Sequence, residues 1–436
     1  MNDSIWTSDV KLPEFPPLEH DLQTDVLVIG GGLAGVLCAW RLAQDGVDYA
    51  LIEGDRILRG VTRNTTAKLT SQHGLIYHKL LRQFDENTAR LYWQANEAAL
   101  EQYRQLAKDI DCDFEAKDNY VYAVDFVDEL VKEMAALERL GIPAEFVNTV
   151  PLPVSAAGAV RFQNQAQFHP LKFAAGIVKD LRIFEHTAAR EFLGSAVLTD
   201  KCKITARKII VATHFPMNNK HGGYFLKMYQ SRSYVLALEN AEAVDGMFVD
   251  ESGSGFSFRN YGDLLLLGGG GHRTGKHGGG WADLEAFAKK HYPNIKEKCR
   301  WATQDCMTLD GVPYIGHYSK RTPDMYVATG FNKWGMTSSM VAADLLCDLV
   351  QGRENPYASV FAPDRTVMRP QLAMNALEAT KSLLTFTKPR CPHMGCALKW
   401  NPQEHSWDCP CHGSRFSEDG EVLDNPATGN MKNSRA

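Results

Sequence analysis

The chain has 436 residues, enough for two or three domains that each bury a core. Its 44% hydrophobic and 23% charged residues fit a globular protein, and a net charge of −5 offers no basic face to nucleic acid or anionic lipid. No run approaches the roughly 18 apolar residues of a membrane helix, and the first twenty residues lack the basic and apolar regions of a secretion signal.

In chain order, residues 1–24 read as a polar, proline-containing arm. "DVLVIGGGLAGVLCAWRLAQDGVDYALIEGD" then gives an apolar run, a glycine turn, a helical pattern and a second apolar run, which together predict a β-α-β unit. Residues 85–108 and 126–141 carry helical periodicity. From about 145 to 270 short strand-like pieces dominate, among them "KIIVATHFP", "RSYVLALE" and "DLLLLGGGG". "WADLEAFAKKHYP" is a helix stopped by Pro293, and "DMYVATGFNKWGMTSSMVAADLLCDLVQG" is again strand, glycine turn and helix. Residues 370–384 read as a helix with Pro370 at its first turn. Neither a repeat nor a low-complexity linker interrupts the chain.

Six of the ten cysteines (Cys38, Cys112, Cys202, Cys299, Cys306, Cys347) are scattered without spacing, the pattern of reduced thiols, so the cytoplasm is the expected compartment. The other four fall in "CPHMGCALKWNPQEHSWDCPCHGSRF", residues 391–416, together with three histidines.

Gly30, Gly32 and Gly35 form G-x-G-x-x-G between a strand and a helix. Such glycines permit a tight turn, backbone approach to a pyrophosphate and close helix packing, while the helix N-terminus attracts the anion. Glu53 follows 23 residues after Gly30, where an acid accepts ribose hydroxyls. This motif, "KIIVATHFP", and "DGVPYIGHYS" with "MYVATGFNKWGMTSSMVAADLL" together resemble the D-amino-acid oxidase/glycine oxidase superfamily of FAD-dependent oxidoreductases over roughly residues 25–352. The resemblance implies an α/β FAD-binding Rossmann-type domain with an α+β substrate domain. It also implies that Gly30, Gly32, Gly35 and Glu53 bind the ADP half, and that Thr62, Thr65, Thr66 and Lys68 line phosphates and flavin. Ala189 would meet the adenine, and Gly330, Gly335, Met336 and Thr337 would present a helix N-terminus to the ring, where reduced flavin gathers negative charge. A second glycine fingerprint for a nicotinamide cofactor is sought in "LLLLGGGGHRTGKHGGGWADLEAF", but His272 and Arg273 break its spacing, so none is expected.

Cys391-x-His393 and Cys409-x-x-His412 lie fifteen residues apart, each pair offering a thiolate and an imidazole. A mononuclear zinc finger usually groups its cysteines and its histidines, whereas alternating types suit a two-iron cluster with both thiolates on one iron and both imidazoles on the other. Zinc and a structural cysteine knot are the competing readings. "CPHMGC" and "CPCHGS" closely resemble the motifs of Rieske [2Fe–2S] proteins. That resemblance implies a disulfide between Cys396 and Cys411, a Ser414 hydroxyl directed at a cluster sulfur, and a lowered potential because Phe416 stands where high-potential members have tyrosine. His405 reads as solvent-facing filler. No sheet is evident before Cys391, so only the cluster-binding loops are expected, docked on the flavin domain.

The expected division is therefore residues 1–352 as the flavin oxidoreductase, a connecting helix at 353–384, and a small C-terminal Rieske cluster-binding module at 385–436. Within the first, about 25–75, 180–215 and 305–352 would bind FAD, with about 76–180 and 216–304 forming the substrate domain. Arg259 is a candidate fork for a substrate carboxylate and His272 a candidate proton acceptor. Tyr234, His73, Lys333 and Trp334 are weaker candidates. The leading reading is a dehydrogenase of a small amine or amino acid that passes single electrons to a carrier such as ferredoxin or a cytochrome. Reduction of an organic substrate by a ferredoxin-like donor, and a redox sensor without a substrate, are the alternatives.

Overall fold

The apolar run before Gly30 becomes the strand Leu22–Ile29, the centre of an eight-stranded sheet in a computed structural model that describes residues 3–218, 220–252, 255–365 and 389–431. Its parallel core runs in the order Thr322–Thr329, Lys203–Val211, Leu22–Ile29, Tyr49–Ile52, Ile183–Phe184, with Tyr314–Ser319 antiparallel at one edge. Val26 to Ile29 are all buried, because helices cover a parallel sheet and leave no face for alternating polar residues. The helix Leu33–Gln44 packs against the sheet and against the helix Gly335–Val350, whose Cys347 lies against the Cys38 carbonyl. Gly35 sets that closeness, since a Cβ there would stand 1.9 Å from the Gly30 carbonyl oxygen.

A second sheet of nine strands runs Lys296–Thr308, Met228–Glu239, Leu264–Arg273, Ser257–Tyr261, Met247–Asp250, Glu115–Ala123, Gly158–Gln167 and Lys68–Leu69, with Glu145–Val147 paired to Gly158–Gln167. The glycine run of "LLLLGGGG" is part of this sheet. Register slips there, from Arg232↔His272 to Tyr234↔Gly269, and Gly270 takes up the extra residue at φ +60°. The helix Glu86–Leu106, capped by Asp85 through Thr88 N–H, bridges the second sheet and the helix Gly335–Val350.

The C-terminal segment corrects one expectation. Beyond its loops it holds a four-stranded antiparallel sheet: Lys399–Asn401, Ser406–Asp408, Arg415–Ser417 and Val422–Asp424. Each strand is three residues long, too short for alternation to register in the sequence. The expected helix at 370–384 lies outside the described residues. The N-terminal arm is not loose either. Trp6 is fully buried, with its indole N–H donating to the Thr65 carbonyl at 2.8 Å.

Gly35→Ala is expected to destabilise the protein by about 1–3 kcal/mol through overpacking and to lower the flavin absorbance of purified material. Calorimetry and the visible spectrum check this, and an unchanged melting temperature with full absorbance would show that the close approach is dispensable.

Candidate active site and metal centre

The glycine turn, Glu53 and the segment around Ala189 meet at one end of the parallel sheet. Glu53 accepts the Gly31 N–H at 2.6 Å, and its backbone bonds to Phe184 and Thr187. Burial pushes its carboxyl up, against backbone N–H groups of Asp55 and Gly31 that pull it down. The helix Leu33–Gln44 starts at Gly32 without a side-chain cap, and Thr62 Oγ1 accepts the Leu33 N–H at 3.1 Å. Only Thr62 comes within 4 Å of a Cβ built on Gly32, at 3.8 Å, so the backbone presents a cradle. This geometry fits a dinucleotide pyrophosphate.

A cavity of about 470 Å³ lies nearby, its lining beginning at Val61, the neighbour of Thr62. Thr65, Thr66, Lys68, Gly335 and Met336 line it, as do Lys333 and Trp334. His73 is stacked on Trp334 with ring centroids 5.0 Å apart. Both its nitrogens are occupied, Nδ1 by the Tyr92 hydroxyl at 2.7 Å and Nε2 by the Thr70 carbonyl at 2.8 Å and Thr337 at 3.0 Å. Burial lowers its pKa to about 3, so it is a neutral structural post. Burial, with Arg259 nearby, lowers Lys68 to about 7. Gly330, at φ +71°, turns the chain toward the Gly335 helix.

Two antiparallel strands divide this cavity from the C-terminal module. Thr303, Asp305 and Met307 of Lys296–Thr308 line the cavity, and so do Tyr229, Ser233 and Val235 of Met228–Glu239. The alternate residues face the module. Gln304 donates to the Gly413 carbonyl at 2.8 Å, Arg232 pairs with Glu404, and a Cβ on Gly413 would meet Gln230 at 2.2 Å. The wall is one sheet thick, so the layers on its two sides stand about 10 Å from it.

The module's two loops bring the four cysteines and two histidines together. The Sγ atoms of Cys396, Cys409 and Cys411 lie within 4.8 Å of one another, and the Cys391 thiol shares a hydrogen bond with Cys409. Thiol hydrogen bonds from Cys391 and Cys396 push Cys409 toward the thiolate. The His393 and His412 rings stand 5.1 Å apart, and burial lowers both pKa values to about 4, leaving the neutral form that ligates metal. Among the described residues the buried His412 Nδ1 has no hydrogen-bond partner, which fits a metal-ligand atom. Soft thiolates with neutral imidazoles fit a mixed-ligand iron–sulfur centre. Cys396 and Cys411 form no disulfide in this structure, and their Sγ atoms lie within 4.8 Å of each other. The Ser414 hydroxyl reaches the Cys391 thiol and also accepts the Ala427 N–H at 3.0 Å. Phe416 is fully buried, and His405 is exposed at φ +48°.

The flavin side covers the histidine edge. Phe215 meets His393 edge-on at 6.4 Å and Phe225 meets His412 at 5.9 Å. A buried ionic network completes the seam. Arg232 pairs with Glu404, and Arg415 reaches Glu404 at 2.8 Å, Asp408 at 3.0 Å and Asp424 at 2.9 Å. Burial pushes Glu404 up, but the two guanidinium groups outweigh it and hold the carboxyl below its usual range.

Two expectations fail here. Arg259 is fully buried away from the cavity: it donates to the Thr66 and Ala67 carbonyls at 2.8 and 2.7 Å, and its guanidinium lies 5.5 Å from the Trp6 ring. It fixes the loop beneath Lys68 and offers no fork to a substrate. His272 is not on the cavity wall. The bulge turns it to the seam, where Nε2 meets the Tyr234 hydroxyl at 2.9 Å and that hydroxyl donates to Glu404 at 3.0 Å. Tyr234 thus lines the cavity and touches the module, and Lys333 and Trp334 are on the wall. Asp305 was missed, although the strict alternation of "WATQDCMT" set Thr303, Asp305 and Met307 on one face.

Residues 25–349 match the family described as "FAD dependent oxidoreductase", and residues 364–435 match "Rieske [2Fe-2S] domain". The chain belongs to the FAD-dependent oxidoreductase family and carries a C-terminal Rieske domain; its cofactors are FAD and a [2Fe–2S] cluster. It is 34% identical, over 99% of its length and 97% of the relative's, to YhfW of Bacillus subtilis (strain 168), named as a Rieske 2Fe-2S iron-sulfur protein. It is 24% identical to the gamma-glutamylputrescine oxidoreductase of Escherichia coli (strain K12), over 84% of this chain and 94% of that one. The fold is similar to that of glycine oxidase from Geobacillus kaustophilus (TM-score 0.66, 18% identity, 79% of this chain and all of that one). Among the described residues no helix is long and apolar enough to cross a membrane.

Glu404→Gln is expected to loosen the module by on the order of 3 kcal/mol, because it leaves buried guanidinium charge uncompensated. Hydrogen exchange across residues 399–424 reads the loss. Since the Glu404 pKa is lowered on folding, the stabilisation is complete above about pH 4.5 and disappears as pH falls through the depressed value. Protection in the variant equal to that of the parent at pH 7 would remove the network from the docking energy.

Proposed function

We propose that the protein is a dehydrogenase of a small amine or amino-acid-like substrate that delivers electrons singly to an external carrier, such as a ferredoxin or a cytochrome. Bound FAD supplies a two-electron hydride acceptor and the Rieske cluster a one-electron store. Gly30, Gly32, Gly35, Glu53 and Ala189 would hold the ADP half. Thr62, Thr65, Thr66, Lys68, Gly330, Gly335, Met336 and Thr337 would hold the phosphates and ring. Cys391 and Cys409 would bind one iron and His393 and His412 the other, with Cys396 and Cys411 closing as a disulfide. The scattered thiols support a cytoplasmic setting.

The observation that carries this reading is the two-sided wall. Thr303, Asp305 and Met307 face the cavity while Gln304 of the same strand holds the ligand loop of the module. The buried seam keeps the separation fixed, so electrons need neither domain movement nor dissociation. Phe215 and Phe225 pack edge-on against His393 and His412, placing the flavin side next to the histidine side of the module.

Anaerobic reduction followed by a one-electron acceptor tests the route. Cys391→Ala is expected to remove the low-average-g EPR signal and cut steady-state transfer to the acceptor at least 100-fold, while substrate still bleaches the flavin. Stoichiometric hydrogen peroxide at the parent's full rate in that variant would sink the proposal. A cluster potential well below that of the flavin would instead favour the reductase direction.

A further inference from the structure

Of the ionisable groups on the cavity wall, most are spent. His73 is bonded at both nitrogens, Asp310 is held by Arg365 at 2.7 Å, and Lys68 donates to Thr66 at 3.2 Å. Asp250 accepts the Ser252 N–H at 2.7 Å, and Glu251 and Lys79 are exposed at the rim. Asp305 differs. It is 9% exposed, it opens on the cavity, and among the described residues none donates a hydrogen bond to its carboxylate. A carboxylate this buried costs free energy unless something occupies its acceptor sites.

Its position is fixed from both sides. The strand pairing sets Asp305 opposite Ser231, and the next residue's carbonyl accepts the Asn332 N–H at 3.1 Å. That bond brings Asp305 beside the Asn332–Trp334 turn that leads into the Gly335 helix. Asn332 and Lys333 hold left-handed backbone there, at φ +51° and +73°. Lys333 on the wall, and His214 and Arg232 near the seam, are the charged or titratable groups that act electrostatically on the carboxylate. Burial raises its pKa and these three oppose the rise, with burial prevailing. A carboxylate raised in this way holds a proton more readily than a surface aspartate.

The wall also lacks something. Among the described residues no arginine lines the cavity, and Arg259, the one sequence candidate for a carboxylate fork, is bonded to backbone. An α-carboxylate entering here would meet lysines (Lys68, Lys79, Lys333) but, among the described residues, no bidentate guanidinium, and it would face Asp305.

We propose that Asp305 is the catalytic proton acceptor for a substrate ammonium, and that the chamber selects an amine without requiring an α-carboxylate. This rests on the amine-oxidising reading above. Asp305 pairs with the ammonium and takes one N–H proton, leaving a neutral amine and a carboxylic acid. The adjacent C–H bond then breaks, its electron pair leaving as hydride to the bound flavin, while the nitrogen lone pair closes the C=N bond. The iminium product departs and the Asp305 proton passes to water. An unprotonated nitrogen is needed because an ammonium has no lone pair to form the C=N bond.

The test uses the holoenzyme and Asp305→Asn, with FAD and iron contents measured first to establish folding. Methyl- to butylammonium and their N-methyl forms are titrated against the oxidised flavin spectrum, then assayed for turnover from pH 6 to 10 beside α-amino acids. In the parent, amines are expected to bind and react better than amino acids. In Asp305→Asn, binding of the ammonium weakens at least tenfold and turnover at pH 7 falls at least 100-fold. That turnover recovers as pH rises toward the amine's own pKa, because bulk base replaces the carboxylate. Structural damage would lower the rate without tilting the pH profile. Equal pH profiles in parent and variant would overturn the Asp305 assignment alone, as would a pH-independent loss. Turnover of amino acids in preference to amines would overturn the selectivity. If the parent neither binds nor oxidises any amine or amino acid, the amine-oxidising reading itself fails and the assignment with it.

Discussion

Successive side chains of a β-strand point to opposite faces, and the functional organisation of this protein depends on that constraint at one place. Along Met228–Glu239 and Lys296–Thr308 one set of residues furnishes the chamber wall and the interleaved set grips the C-terminal module. No loop or hinge is needed to bring the two centres together. A one-residue slip in pairing would exchange the sets, sending Asp305 to the seam and Gln304 into the chamber. The thirteen-residue length of Lys296–Thr308, paired along almost all of Met228–Glu239, works against such a slip.

The seam itself is built from costly groups. Arg232, Arg415, Glu404, Asp408 and Asp424 are mostly buried, and desolvating them offsets much of their mutual attraction. Apolar contacts could give the same adhesion. Charges add orientation, because the Arg415 fork is satisfied by three carboxylates in one arrangement only. The tight fits at Gly413 on Gln230 and at Gln403 on the Trp281 N–H fix the remaining freedom. The module therefore sits in a defined pose.

Much of this was legible in the sequence. The glycine fingerprint, Glu53 and the cysteine–histidine pairs are local signals whose chemistry depends on spacing; Glu53 accepts the Gly31 N–H, and the His393 and His412 rings stand 5.1 Å apart in the module that also gathers Cys396, Cys409 and Cys411. The failures share a cause. Arg259 and His272 were singled out by residue type, yet the direction of each side chain is set by a bulge and by the Trp6 arm, both of which are long-range. The sheet of the module escaped because strands of three residues carry no period. Asp305 lay in a strand that was readable, but which face would border the chamber depended on pairing with Met228–Glu239.

The burial of the second ligand loop bears on how the protein comes to be made. Cys409 is fully enclosed, and Cys411 and His412 are each 4% exposed beneath the flavin lobe. Whatever machinery donates iron and sulfide must reach those atoms before the lobes close over them. Cofactor delivery to the tail would then precede its final seating, since apoprotein that closed first would hold these three side chains out of reach.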